Sequence, residues 1–424
     1  MNIEVKKAKA LKGCIEIPAD KSITQRAFLF SALTKGSCRI TNFSKGADCM
    51  AALNIIEQLG CKIERINEKE LIIDASAALR APEMPLDCRN SGTAARLVSG
   101  ILAPQDFNSE LSGDESLSKR PMKRIITPLE LMGAEIVHND FKLPFTIKGA
   151  HLKGIDYISP IASAQVKSCV LLAGLNAEGV TSFTEPYKSR NHTELMFKFM
   201  GADIKEEGCK TVIKKSQLHP ADITVCGDIS SAAFFITAAL IAPNSDITIK
   251  NTGINETRSG ILDVYKAMGA DIEVLNERTI SGEKTADIRV KYSKLKGTVI
   301  EGSIIPRLID EIPAIAAAAS LADGVTIIKD AQDLRNKESD RIKAVSLGLS
   351  SLGADIKETP DGLIINGKKE LKGGAVCSSF HDHRIAMSLY TAGLACKNPV
   401  QINEFEWVNI SFPEFLSLFS RLIF

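Results

Sequence analysis

The chain has 424 residues, with 52 Lys and Arg against 51 Asp and Glu and a formal net charge of +1. Apolar residues make up 45% and aromatics only 5%. That length supports two or three domains with sizeable cores, and the even charge balance excludes a broad basic footprint for nucleic acid or an anionic membrane, so any bound anion must be held by a local cluster of cations.

Met1-Asn2-Ile3-Glu4-Val5 lacks the basic-then-apolar layout of a secretory signal. The longest charge-free apolar stretch, Ile229 to Pro243, falls short of a membrane span. Ten cysteines without a CxxC pair point to reduced, buried thiols and a cytoplasmic protein.

Along the chain, two patterns alternate. Small-residue helices are expected from Ser22 to Ala32-Leu33, Ser91 to Gly100-Ile101, Ser163 to Gly174-Leu175, Ser230 to Ala239-Leu240, Asp310 to Ser320-Leu321 and Asp382 to Gly393-Leu394. Between them, amphipathic helices end at Leu59-Gly60, Met132-Gly133, Met200-Gly201, Met268-Gly269 and Leu352-Gly353, each followed by a charged-aliphatic alternation that predicts a half-exposed strand. The five glycines lie 73, 68, 68 and 84 residues apart. In each exit the Gly is suited to the left-handed cap conformation. Six copies of an α/β unit of about 71 residues, three per domain, are the expected architecture. Ala, Ser and Gly in the first helix type let such helices approach closely.

Helix N-termini aimed at one surface favour anions through free N–H groups and dipoles. The residues there fit: Lys21-Ser22-Ile23-Thr24-Gln25-Arg26, Asn90-Ser91-Gly92-Thr93-Ala94-Ala95-Arg96, Ser163-Ala164-Gln165-Val166-Lys167, Arg335 through Arg341, and Asp382-His383-Arg384. Each alone also reads as ordinary capping; their recurrence at equivalent positions favours a multi-anion site. Two other motifs carry less. Gly362-Leu363-Ile364-Ile365-Asn366-Gly367-Lys368-Lys369 nearly spells a phosphate loop but reads as a strand, and no GxGxxG occurs. His381-x-His383 has no further ligand nearby, so no metal is expected.

These motifs, in this order, resemble the enolpyruvyl transferases. The resemblance is carried by Pro18-Ala19-Asp20-Lys21-Ser22, Asn90-Ser91-Gly92-Thr93, Lys119-Arg120-Pro121-Met122, Ser163-Ala164-Gln165-Val166-Lys167, Glu185-Pro186 through Ser189-Arg190, Gly227-Asp228-Ile229-Ser230-Ser231, Pro306 through Pro313, Lys337-Glu338-Ser339-Asp340-Arg341 and Asp382-His383-Arg384. The wording is that of the family's class II branch acting on shikimate 3-phosphate.

The resemblance implies an α/β (α+β) fold, a two-domain inside-out α/β barrel of six βαβαββ units. One domain, residues 20–225, would be inserted into the other, residues 1–19 plus 226–424. It further implies transfer of the enolpyruvyl group of phosphoenolpyruvate to the 5-hydroxyl of shikimate 3-phosphate, in chorismate and aromatic amino acid biosynthesis, without a cofactor and as a monomer. Lys21, Ser22, Arg26, Ser163, Gln165, Ser189, Asp310 and Lys337 would bind shikimate 3-phosphate. Lys21, Gly92, Arg120, Gln165, Arg341 and Arg384 would bind phosphoenolpyruvate. Asp310, Glu338, Lys21, Lys337 and His383 would carry the catalysis, Asp310 taking the hydroxyl proton. The rivals are a relative acting on UDP-N-acetylglucosamine and a non-catalytic polyanion binder of the same fold. Four positions depart from the family pattern: Ala19, Ala164, Asn191 and Ile410.

Overall fold

The computed structural model describes residues 1–423. The five predicted exits form as expected: Gly60, Gly133, Gly201, Gly269 and Gly353 all have positive φ, between +84° and +105°. They close the helices Ala47–Gln58, Lys123–Leu131, His192–Phe199, Gly260–Ala267 and Arg341–Ser351. A strand follows each and turns back on itself as an antiparallel hairpin.

The chain divides into two compact units, residues 19–226 with 279–283, and residues 1–18, 227–278 and 284–424. The first unit carries three four-stranded sheets of one pattern: a parallel pair, then two antiparallel steps. In the first of these, Ile223–Thr224 lies parallel to Ser37–Thr41, which is followed by Glu70–Asp74 and Lys62–Asn67. Its core helices are α1 (Lys21–Ser31), α2 (Gly92–Leu102) and α3 (Ala164–Gly174), buried almost throughout. Close approach is built into the sequence: a Cβ on Gly100 of α2 would lie 2.2 Å from the Cys169 carbonyl oxygen of α3.

The second unit repeats the scheme around α4 (Ile229–Ile241), α5 (Ile312–Ala319) and α6 (His383–Gly393). Here two sheets have four strands and one has three. The three-stranded sheet is completed by the chain start: Ile3–Val5 pairs antiparallel with Val400–Asn403, which lies parallel to Val376–Ser378. That is why the sequence shows five glycine exits and not six. Phe235 of α4 stacks on Phe419, 4.2 Å between ring centroids, so the C-terminal helix Phe415–Ser420 is anchored into this core. Among the described residues, no helix is long and apolar enough to cross a membrane.

Three helix starts differ from expectation. Asp20, not Ser22, caps α1 by accepting the Ile23 N–H at 2.8 Å, and Asp228, not Ser230, caps α4 by accepting the Ser230 N–H at 2.8 Å. In both, the carboxylate two residues upstream is the group that reaches the free N–H, and its negative charge is favoured at the helix start. Asp310 lies in a 3₁₀ turn, Ile309–Glu311, and α5 starts only at Ile312 with Pro313 in its first turn. Ser91, Ser163 and Asp382 cap their helices as expected. All ten cysteines are free thiols, eight of them buried.

Candidate active site

In the 19–226 unit the first turns of α1, α2 and α3 carry the expected cations. Lys21 opens α1, half-buried, with Nζ 2.9 Å from Asp48 Oδ2. Ser22 follows, and its carbonyl accepts Arg26 Nη1 at 3.0 Å. Arg26 is buried, donating through Nε to Thr193 Oγ1 at 2.8 Å and through Nη2 to Ser168 Oγ at 2.9 Å. Burial brings its guanidinium down to about 10, still cationic at neutral pH.

Gly92, Arg120 and Gln165 are brought together around a fourth residue, Arg96. Arg96 Nη1 donates to Gln165 Oε1 at 2.6 Å and to the Gly92 carbonyl at 3.2 Å. Gln165 is oriented by donating from Nε2 to Thr93 Oγ1 at 2.9 Å, and Arg120 by donating from Nη2 to Asn90 Oδ1 at 2.8 Å. A Cβ on Gly92 would sit 2.7 Å from Arg96 Nη1 and 3.6 Å from Arg120 Nη1. Burial first, then the charges of Arg120 and Arg124, bring Arg96 down to about 10. Ser163 caps α3, and Ser189 is buried, donating its N–H to Glu185 Oε1 at 2.8 Å.

The second unit gathers the remaining residues around Asp310. Its Oδ1 lies 3.2 Å from Lys337 Nζ and 3.3 Å from Arg341 Nη1, and its carbonyl accepts Arg384 Nη1 at 3.0 Å. Arg341 is 1% exposed and also donates through Nη2 to Glu338 Oε2 at 2.7 Å and through Nε to Asp382 Oδ2 at 2.8 Å. Burial works against its charge, but Glu338, Asp382 and Asp310 overcome that and hold it above its ordinary value. Asp382 behaves in mirror image. Burial would raise it, and Arg341 and His383 keep it below the usual carboxylate range. His383, first in α6, is pushed down to about 4 by burial, against the pull of Asp382 and Glu338, so it is neutral at pH 7.

Two residues here were given no site role by the sequence. Arg258, 4% exposed, donates from Nη2 to Ser230 Oγ at 2.7 Å and stands 3.7 Å from Asp310 Oδ2. Glu311, fully buried, accepts from Ser230 Oγ and lies 3.7 Å from Arg384 Nη1. A usable signal existed for Arg258: Thr257-Arg258-Ser259-Gly260 sets a cation before a Ser-Gly helix start, as Arg89-Asn90-Ser91-Gly92 does. Asn191, where the family pattern is acidic, donates to Glu206 Oε2 at 3.2 Å, a contact an aspartate would turn into repulsion. Ile410 is exposed. His381 sits at the surface, 2.9 Å from Glu404 Oε1.

Each unit carries part of what joining two phosphorylated anions requires: the 19–226 unit has fixed guanidiniums and a lysine at a helix start, and the other has carboxylates placed among cations. Comparison with known proteins agrees. The family model for EPSP synthase (3-phosphoshikimate 1-carboxyvinyltransferase) matches residues 5–419. The 3-phosphoshikimate 1-carboxyvinyltransferase of Thermoanaerobacter sp. (strain X514) is 50% identical over 424 residues, covering all of both chains. Its namesake from Bacillus licheniformis is 46% identical over 98% of each. The solved EPSP synthase of Acinetobacter baumannii superposes with a TM-score of 0.91 at 43% identity, covering 100% of this chain and 98% of that one. The chain therefore belongs to the EPSP synthase family.

Proposed function

We propose that this chain transfers the enolpyruvyl group of phosphoenolpyruvate to the 5-hydroxyl of shikimate 3-phosphate and releases phosphate, a step in aromatic amino acid biosynthesis. The observation that carries the reading is the Asp310 carboxylate held between Lys337 at 3.2 Å and Arg341 at 3.3 Å, with Glu338 on the same arginine.

The 5-hydroxyl gives its proton to Asp310 as its oxygen adds to C2 of the enol, while C3 takes a proton from Glu338 or Lys337. The tetrahedral adduct then loses a C3 proton and expels phosphate, whose charge Lys21 and Arg120 stabilise. Ser22, Arg26, Ser163, Gln165 and Ser189 hold the shikimate phosphate, and Gly92 leaves backbone room for phosphoenolpyruvate. Arg341 and Arg384 grip the phosphoenolpyruvate carboxylate. Because Glu338 occupies Arg341 Nη2 here, that carboxylate takes its place and frees Glu338 for proton transfer. Neutral His383 acts by orientation and not by charge. The working form is a cytoplasmic monomer whose partners are its two small substrates; the balanced charge supports the absence of a polyanionic one.

The test is phosphate release with phosphoenolpyruvate and each acceptor. Release with shikimate 3-phosphate and none with UDP-N-acetylglucosamine is expected, and the reverse would sink the reading. A non-catalytic relative would release phosphate with neither.

A further inference from the structure

Lys167 lies in the interior of the 19–226 unit, and the chemistry above gives it no task. Its side chain is 1% exposed, and Nζ stands 2.7 Å from Glu185 Oε1 and 2.8 Å from Glu194 Oε1, both carboxylates equally buried. Burial opposes its charge, and Glu194 and Glu185 overcome that; burial in turn raises Glu194. Such a cluster is poor evidence for stability, since well-packed apolar residues of similar volume commonly do as well. Its geometry has a more specific consequence.

Glu185 Oε1, held by Lys167, also accepts the Ser189 N–H at 2.8 Å, and Lys167 Nζ reaches the Ser189 carbonyl at 3.4 Å. Both backbone groups of Ser189 are thereby clamped in the segment between strand Val180–Thr184 and helix His192–Phe199. Ser189 Oγ is left buried, with no hydrogen-bond partner among the described residues. Ser168, next to Lys167 on α3, and Thr193, next to Glu194 on the helix His192–Phe199, lie 2.6 Å apart through their hydroxyls and receive the two Arg26 bonds. Lys167 and Ser168, adjacent on α3, thus serve both: the hydroxyl secures Arg26, and the ammonium, with Glu185, secures the Ser189 backbone.

We infer that Lys167 and Glu185 are positioning residues for the phosphate of shikimate 3-phosphate: by holding the Ser189 backbone they set its hydroxyl, from the same turn of α3 whose Ser168 fixes Arg26. The inference rests on the reaction proposed above.

The experiment is steady-state kinetics in both substrates, with melting temperatures to monitor folding. Glu185→Leu leaves Lys167 in a one-to-one pair with Glu194 and removes the acceptor for the Ser189 N–H. It is expected to raise the KM for shikimate 3-phosphate about tenfold while leaving the KM for phosphoenolpyruvate and kcat within about twofold. Glu185→Gln keeps an oxygen for that N–H and should return the KM to within about threefold of wild type. Should Glu185→Leu not fold, the double variant Lys167→Met with Glu194→Gln removes one ion of each sign and is expected to show the same split. A wild-type chain that does not use shikimate 3-phosphate overturns the reaction and this inference together. An active wild type whose variants raise both KM values equally, or neither, overturns the inference alone.

Discussion

The two units treat their buried and half-buried arginines in opposite ways. In the 19–226 unit, Arg26 is held by two hydroxyls and a carbonyl, Arg96 by an amide and a carbonyl, and Arg120 by an amide. Neutral partners orient a guanidinium without cancelling it; burial brings Arg26 and Arg96 down to about 10, so both keep charge to offer a ligand at neutral pH. In the other unit Arg341 meets three carboxylates, from Asp310, Glu338 and Asp382, and is held above its ordinary value. The first pattern suits binding of a multivalent anion. The second sets carboxylates directly among cations, which suits groups that must take and give protons.

That contrast breaks most visibly at Asp310. Asp310→Ala should lower kcat by about 10³-fold, the range for loss of a general base, while phosphoenolpyruvate affinity in equilibrium binding changes little. A kcat within tenfold of wild type would place the proton acceptor elsewhere. Arg26→Gln, in the binding unit, should act in the other coordinate. Losing a charged donor to phosphate predicts a KM for shikimate 3-phosphate about 10- to 100-fold higher, with kcat much less affected. If Arg26→Gln instead collapsed kcat at saturation, the division of labour would be wrong.

Gly92→Ala is a finer probe. The added methyl would come within 2.7 Å of Arg96 Nη1, so the arginine must swing and its 2.6 Å bond to Gln165 is lost or weakened. The KM for phosphoenolpyruvate should rise about 3- to 10-fold, with that for shikimate 3-phosphate moving less. Truncating the obstacle sharpens the test: if steric pressure on Arg96 is the cause, adding Arg96→Ala to Gly92→Ala should cost less than the two single effects combined.

The helix exits were legible in the sequence because the left-handed cap leaves few choices besides glycine, and five recurrences turned a weak local signal into architecture. The α/β class followed from the same periodicity. Caps were harder: with Asp20 and Ser22 both available, or Asp228 and Ser230, only geometry shows which side chain reaches the free N–H groups. The partners of buried charges were not legible. Lys167 finds Glu185 eighteen residues on, Arg26 finds Thr193 at a separation of 167, and Arg258 meets Glu311 across a fold. Local motifs marked Arg26, Lys167 and Arg258, but no local pattern names the distant residues they meet. Arg96 is the instructive intermediate, since its motif was visible but its role as the link between Gly92 and Gln165 needed three helices in place.

The smallest effect concerns His383. In the folded chain burial holds it down to about 4, whereas an unfolded histidine titrates near 6.5. Between those values the unfolded state binds a proton that the folded state does not, so stability falls as pH drops from about 6.5 towards 4, and above 6.5 this residue adds no slope. Asp382 contributes in a lower window, because its depressed carboxyl is lost only as pH falls through the acid range below its ordinary value. Replacing His383 by Gln should therefore make the pH dependence of unfolding between 6.5 and 4 shallower by up to about one proton, while the steeper loss at lower pH remains. A slope unchanged by His383→Gln would mean that the imidazole is protonated in the folded chain, and it would then count with the cations around Asp310.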